Sequence, residues 1–235
     1  RGIGRDIALT FAREGATLVL VCLNNVKKLT EVQNEIESLG TNAITVVGDV
    51  ASSDFCESLS QKVIKKFKRV DILVNNAGTI TRSPFEEMTI DEWHRVINVN
   101  LNGAFYLCRF FLPEMRKQKY GKIINLTSQM AHMTHPSASP SYEVSKSGLM
   151  ALTRHLASKY AEFNITVNAI APGSIDTDLP KSMSEEARHK LKSAIPMKRL
   201  GSPHEVGECA LFLASDMSTY VTGISMHVNG GSLIL

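Results

Sequence analysis

The chain has 235 residues, 43% hydrophobic and 21% charged, as in an ordinary globular protein. Its net charge of +3 is too mild for a nucleic-acid binder, and no apolar run approaches the roughly 18 residues of a membrane span. The cysteines Cys22, Cys56, Cys108 and Cys209 show no paired spacing, which predicts free thiols in a reducing compartment, the cytoplasm or an organelle matrix. No HxH, CxxC or HExxH spacing suggests a metal site. With no linker, repeat or low-complexity segment, residues 1–235 read as one domain.

In chain order, "RGIGRDIALTF" comes first. Gly2 and Gly4 stand just before a helix with Ile7, Ala8, Phe11 and Ala12 on one side and Gly15 as its stop. Glycines there let backbone approach a phosphate, and the helix N-terminus offers N–H donors. Such a loop should follow a strand, and none precedes it here. The expectation is that a first strand and a first glycine are missing from this chain.

Strand-length apolar runs then recur between amphipathic stretches: residues 16–22, 43–49, 71–76, 122–128, 165–171 and 224–229. Most are continuously apolar, the pattern of strands buried on both faces of a parallel sheet. The stretch from Asp91 to Lys119 is the longest helical pattern. Repeated β-α units predict an α/β fold with an open, doubly wound, Rossmann-like parallel sheet, with six strands where seven would be expected. Ligands of such sheets sit beyond the carboxyl ends of the strands. Those ends read "GDV" at 48–50, "NNAGT" at 75–79, "TSQM" at 127–130 and "APGSIDT" at 171–177.

The end of the fourth strand, "TSQM", is followed by "SPSYEVSKSGLMALT", residues 139–153. Tyr142 and Lys146 lie four apart at the start of a predicted helix, so the phenol and the ammonium share a face. A tyrosine titrates near 10, so proton transfer around pH 7 needs a shift of about 3 units, or about 4 kcal/mol. One positive charge at about 4 Å, with an effective dielectric of about 20, supplies that much. The pair is thus a candidate acid with its tuning charge. The small residues Ser145, Ser147, Gly148 and Ala151 would let this helix pack closely, either within the chain or against a second copy.

The ordered set resembles the short-chain dehydrogenase/reductase family: Gly-Ile-Gly before a helix, "NNAG" at 75–78, Asn100 in "VNLNG", Ser128 after a strand, "YEVSK" at 142–146 and "PGSIDT" at 172–177. The C-terminal third, "IPMKRLGSPHEVGECALFLASDMSTYVTGISMHVNGG", is most similar to the 3-oxoacyl-acyl-carrier-protein reductases, a tail shared by many sugar and secondary-alcohol dehydrogenases. The resemblance implies that Tyr142 protonates a carbonyl oxygen as hydride arrives. Lys146 would bind the nicotinamide ribose and lower the phenol's pKa, and Ser128 would hydrogen-bond the substrate oxygen. Asn100 would hold a water linking Lys146 to solvent. It also implies cofactor contacts from Arg1, Gly2, Ile3, Gly4, Asp49, Val50, Asn76, Ala77, Gly78, Tyr142, Lys146, Pro172, Gly173, Ile175 and Thr177. Tyr142 falls fourteen residues after Ser128, one more than the family pattern, which leaves Thr127 as an alternate hydroxyl. Asp49 has a second reading as a turn residue.

The expected activity is reduction of a ketone to a secondary alcohol, on a 3-oxoacyl thioester carried by acyl carrier protein. The alternatives are a sugar or secondary-alcohol dehydrogenase and a non-catalytic dinucleotide-binding scaffold. NADP(H) is the expected cofactor, with NAD(H) as the alternative. The segment "VCLNN" around Cys22 has no carboxylate for a ribose 2′-hydroxyl, Arg1 could meet a 2′-phosphate, and Lys27 and Lys28 follow. The basic run "MRKQKYGK" (115–122) could face an acidic carrier, and His132 and His135 could line the substrate mouth. "DLPKSMSEEARHKLKSAIP" (178–196) is a candidate lid. Neither nucleic acid nor membrane is an expected partner, whereas a homo-oligomer, dimer or tetramer, is.

Overall fold

The structure is a computed structural model that describes residues 1–135, 138–177 and 183–235. All six predicted strands form: β1 (Leu18–Cys22), β2 (Ala43–Val47), β3 (Ile72–Asn75), β4 (Gly121–Leu126), β5 (Ile165–Pro172) and β6 (Ser225–Val228). Every pairing is parallel, but they do not make one sheet. Among the described residues β1 pairs with β2, and β3-β4-β5-β6 form a separate ladder. The expected single sheet is therefore two parallel pieces, with β1 and β3 each paired along one edge only.

The uninterrupted apolar runs have the predicted cause. All residues of β4 and β5 are buried, and alternate side chains serve opposite layers. Ile123 of β4 joins Ile165 and Val167 in one core, while Ile124 and Leu126 join Ile170 in another. The first core is roofed by α3 (Ser53–Phe67), α5 (Gly103–Gln118) and α6 (Pro140–Tyr160). On the opposite face α1 (Gly2–Arg13) packs against α8 (Pro203–Ala214), and α2 (Val26–Ser38) covers β2. The helix starts are chemically marked. Asn25 and Ser52 cap α2 and α3, Pro140 opens α6, and Thr89–Glu92 and Ser202–Glu205 are capping boxes for α4 (Ile90–Ile97) and α8.

The long helical pattern from Asp91 to Lys119 is not one α-helix. A π-turn over Asn98–Asn102 separates α4 from α5. Such turns insert a residue into the helical repeat and often mark functional sites. Here the turn buries Asn100 at 1% exposure, on the side that faces α6. Gly148 of α6 lets that helix approach, since a Cβ there would stand 2.9 Å from Leu101. Helix α7 (Glu185–Ala194) lies in the candidate lid, of which residues 178–182 fall outside the described residues.

Candidate active site

The strand ends converge on one crevice. Ser128 ends the β4 segment and caps a short 3₁₀ turn by accepting from the Met130 N–H at 3.1 Å. Ser128 also lies close enough to the Tyr142 phenol to draw its pKa down. Thr127 is turned away, donating its hydroxyl to the Ile170 carbonyl at 2.8 Å. Geometry therefore pairs Ser128 rather than Thr127 with Tyr142, and the longer spacing is absorbed in the loop between them.

Lys146 is held beneath the phenol by the backbone. Its Nζ lies 5.8 Å from the centroid of the Tyr142 ring and donates to the Leu126 carbonyl at 2.7 Å. Burial pushes Lys146 down to about 8 and pushes Tyr142 up, while Ser128 draws the phenol partly back. The ammonium's attraction operates on the phenolate. A neutral phenol gains little from it.

The Asn100 side chain is fully engaged with the protein. Its Oδ1 accepts from the Thr79 N–H at 2.7 Å. Its Nδ2 donates to the Thr79 carbonyl at 2.9 Å and to Ser145 Oγ at 3.0 Å. Both amide hydrogens are thus committed to the protein, and any water held by this residue falls to its main chain. Ser145, read from sequence only as a small packing residue, is wholly buried and donates in turn to the Tyr142 carbonyl at 2.8 Å. A hydroxyl residue immediately before the candidate lysine was the signal available.

Across the crevice lie the other predicted residues. Gly2 has φ of +54°, and a Cβ there would touch Thr177 Cγ2 at 3.4 Å, so the ends of "RGIG" and "PGSIDT" meet. At Gly4 a Cβ would stand 2.4 Å from Asn76 Nδ2, so α1 seats directly on "NNAG". Asn76, Ala77 and Gly78 are exposed, and Gly78 sits where a Cβ would be 3.5 Å from both Lys146 Nζ and Asn100 Oδ1. Ile3 packs into the core below, Pro172 ends β5, and the Gly173 N–H donates to Val228. Ile175 is buried in a bridge to Gly201. Asp49 fits its turn reading, accepting from the Ala51 N–H at 2.9 Å, while Val50 packs against Gly103. An elongated dinucleotide fits this bed. Glycines leave room at the helix N-terminus, an exposed backbone floor runs beneath, and a buried ammonium stands at one end.

The remaining candidates scatter. His132 Nε2 is 2.9 Å from Ser225 Oγ, and its ring lies 4.8 Å from that of His227, so it is tied to β6. It also borders a small cleft with Met130, Thr134 and Glu143, where Glu143 accepts from the His135 N–H. The basic run 115–122 is not one patch. Arg116 stacks on Phe163, Lys117 pairs with Glu114, and Lys122 is buried. At the end of β1, Leu23 is 59% exposed, Arg1, Lys27 and Lys28 are exposed, and Arg5 is ion-paired with Glu35 of α2.

The chain was compared with known proteins. A family model described as enoyl-(acyl carrier protein) reductase matches residues 1–232. The 3-oxoacyl-[acyl-carrier-protein] reductase FabG of Thermotoga maritima is 38% identical over 233 residues, covering 99% of this chain and 94% of that protein. Its counterpart in Staphylococcus epidermidis is 37% identical over 231 residues, covering 98% and 94%. A crystal structure provisionally assigned as a gluconate dehydrogenase from Agrobacterium tumefaciens superposes with a TM-score of 0.95 at 33% identity, covering all of this chain and 93% of that one. That of the 3-oxoacyl-[acyl-carrier protein] reductase from Brucella melitensis gives 0.93 at 34% identity, covering 100% and 88%.

Proposed function

Because the chain belongs to the short-chain dehydrogenase/reductase family of oxidoreductases acting on CH–OH groups, we propose that it reduces the ketone of a 3-oxoacyl thioester carried on acyl carrier protein, with NADPH as reductant. The observation that carries this reading is the corner of Ser128, Tyr142 and Lys146, where a half-buried phenol stands beside a buried serine with a buried ammonium beneath it.

NADPH, when bound, supplies hydride. The residues to hold it are the Gly2–Gly4 backbone at the pyrophosphate, Asn76 to Gly78 and Thr177 along its length, and Lys146 at the ribose. Tyr142 gives its proton to the substrate oxygen, and Ser128 holds that oxygen in line. Lys146, as the nearby positive charge, stabilises the phenolate left behind. The 2′-phosphate falls to Arg1, since β1 ends in Cys22 and Leu23 with no carboxylate to repel it.

A second reading has its own support. The cleft lined by Glu143, His132 and Thr134 offers polar groups suited to a hydroxylated substrate such as a keto sugar acid. One assay separates the two. NADPH oxidation is followed with 3-oxobutanoyl-pantetheine, 3-oxobutanoyl acyl carrier protein and a panel of keto sugar acids. Preference for the carrier-bound thioester supports the first reading, and turnover only with keto sugar acids replaces it. Val144 on α6 and Phe105 on α5 are exposed apolar side chains. We assign this face to a second copy of the chain, and a monomer in sedimentation equilibrium would refute that.

A further inference from the structure

We infer that Ser145 is a positioning residue that takes the second hydrogen of the Asn100 amide and thereby ties the cofactor floor to the backbone of Tyr142. This rests on the reading of Tyr142 as the acid. Four residues on three segments form one chain of hydrogen bonds. The Thr79 N–H donates to Asn100 Oδ1 at 2.7 Å, Asn100 Nδ2 donates to Ser145 Oγ at 3.0 Å, and Ser145 Oγ donates to the Tyr142 carbonyl at 2.8 Å. Asn100 is 1% exposed and Ser145 0%.

The proton inventory fixes the direction of this chain. The Thr79 N–H can only donate, so the oxygen of the Asn100 amide must face it. A carbonyl can only accept, so the Ser145 hydrogen is spent on Tyr142 and its oxygen is left to accept. The nitrogen of the amide must therefore face Ser145. A flipped amide would oppose donor to donor at Thr79 and leave two acceptors facing each other at Ser145. The Thr79 N–H and carbonyl already favour this one orientation, and Ser145 is the group on α6 that satisfies the second amide hydrogen in it. Gly78 stands beside the amide oxygen and the Lys146 ammonium, so that orientation also fixes the floor next to the reacting corner.

Alanine at 145 keeps the helix, since it is the best helix former, but leaves one buried Asn100 N–H without a partner. Ser145→Ala should lower kcat about tenfold, the size of one lost buried hydrogen bond carried into the barrier, while the Kd for NADPH changes less than about twofold. In the Asn100→Ala background Ser145→Ala should cost nothing further, because the residue acts through that amide. Hydrogen exchange of the peptide covering residues 76–80 should quicken in Ser145→Ala alone. Full turnover in Ser145→Ala, or losses that multiply in the double variant, would overturn the assignment. If Asn100→Ala does not fold, exchange decides, and unchanged protection at 76–80 overturns it equally. Tyr142→Phe, measured in parallel, tests the underlying reading. Retained turnover there would remove the acid while leaving the exchange result to stand or fall alone.

Discussion

The two ends of the crevice are built on opposite plans. At the catalytic end Asn100, Ser128, Ser145 and Lys146 are all buried, and each has a hydrogen-bond partner on another element or in the adjoining turn. At the phosphate end Arg1 and Asn76 to Gly78 are exposed, and the decisive residues, Gly2 and Gly4, contribute space rather than atoms. The difference follows from the tasks. A proton donor needs a displaced pKa and a fixed position, and both come from burial with satisfied partners. An anion bed must admit a large ligand, and it gains affinity from backbone N–H groups that only glycine lets it approach. Substitutions at the first end should therefore appear in kcat, and those at the second in cofactor affinity.

The sharpest break of that division is Tyr142→Phe. It removes one oxygen from the catalytic end and leaves the cofactor bed intact. Turnover should fall at least about a hundredfold, the scale of losing a general acid, with the Kd for NADPH unchanged by calorimetric titration. A variant retaining near-normal kcat would remove Tyr142 from its role.

At the phosphate end the strongest test is Gly4→Ala. The new Cβ would lie 2.4 Å from Asn76 Nδ2, so Asn76 must leave the cofactor floor. The KM for NADPH should rise about tenfold, roughly the value of one charge-assisted hydrogen bond to phosphate, while kcat at saturation stays within about threefold. A fall in kcat with unchanged KM would contradict the separation of the two ends. Arg1→Ala sharpens the same point by cofactor choice. Losing the guanidinium should weaken NADPH by about fivefold to tenfold and leave NADH alone, shrinking the preference between them. Equal weakening of both in steady-state kinetics would show that Arg1 serves the shared part of the cofactor.

Legibility in the sequence followed the same divide. Strands β4 and β5 were readable because burial on both faces removes polar positions, and the site could be placed from the strand ends alone. Gly2 and Gly4 were readable because a backbone approach leaves a composition signature. Hydrogen bonding within the catalytic end was not. The stretch from Asp91 to Lys119 has helical periodicity throughout, and nothing in its residue types announces the π-turn that buries Asn100. The Tyr142–Lys146 spacing gave the shared face correctly but not the partner of the ammonium, because the Leu126 carbonyl is a backbone group on another element. The split between β1-β2 and β3 to β6 was equally hidden, since pairing is a property of edges and not of side chains.

The smallest predicted effect asks what the catalytic end costs in stability. Lys146 has its pKa depressed to about 8 by burial, against 10.5 for the free side chain. Between those values the unfolded chain binds a proton that the folded chain lacks, so the folded state gains stability as pH rises from about 8 to about 10.5. Below about 8 the full penalty of a buried charge is present, at most about 3 kcal/mol for a shift of this size. The Leu126 hydrogen bond recovers part of it, about 1.5–3 kcal/mol for a charged donor. Lys146→Met should therefore be more stable than the parent at pH 7 by about 1 kcal/mol. That advantage should close as the pH approaches 10.5, because only the parent titrates there. Urea unfolding of both proteins at several pH values measures the gap. Curves that stay parallel from neutral pH to beyond 10 would mean that the lysine is not held against its charge, and the contrast between a costly catalytic end and a spacious phosphate end would lose its energetic half.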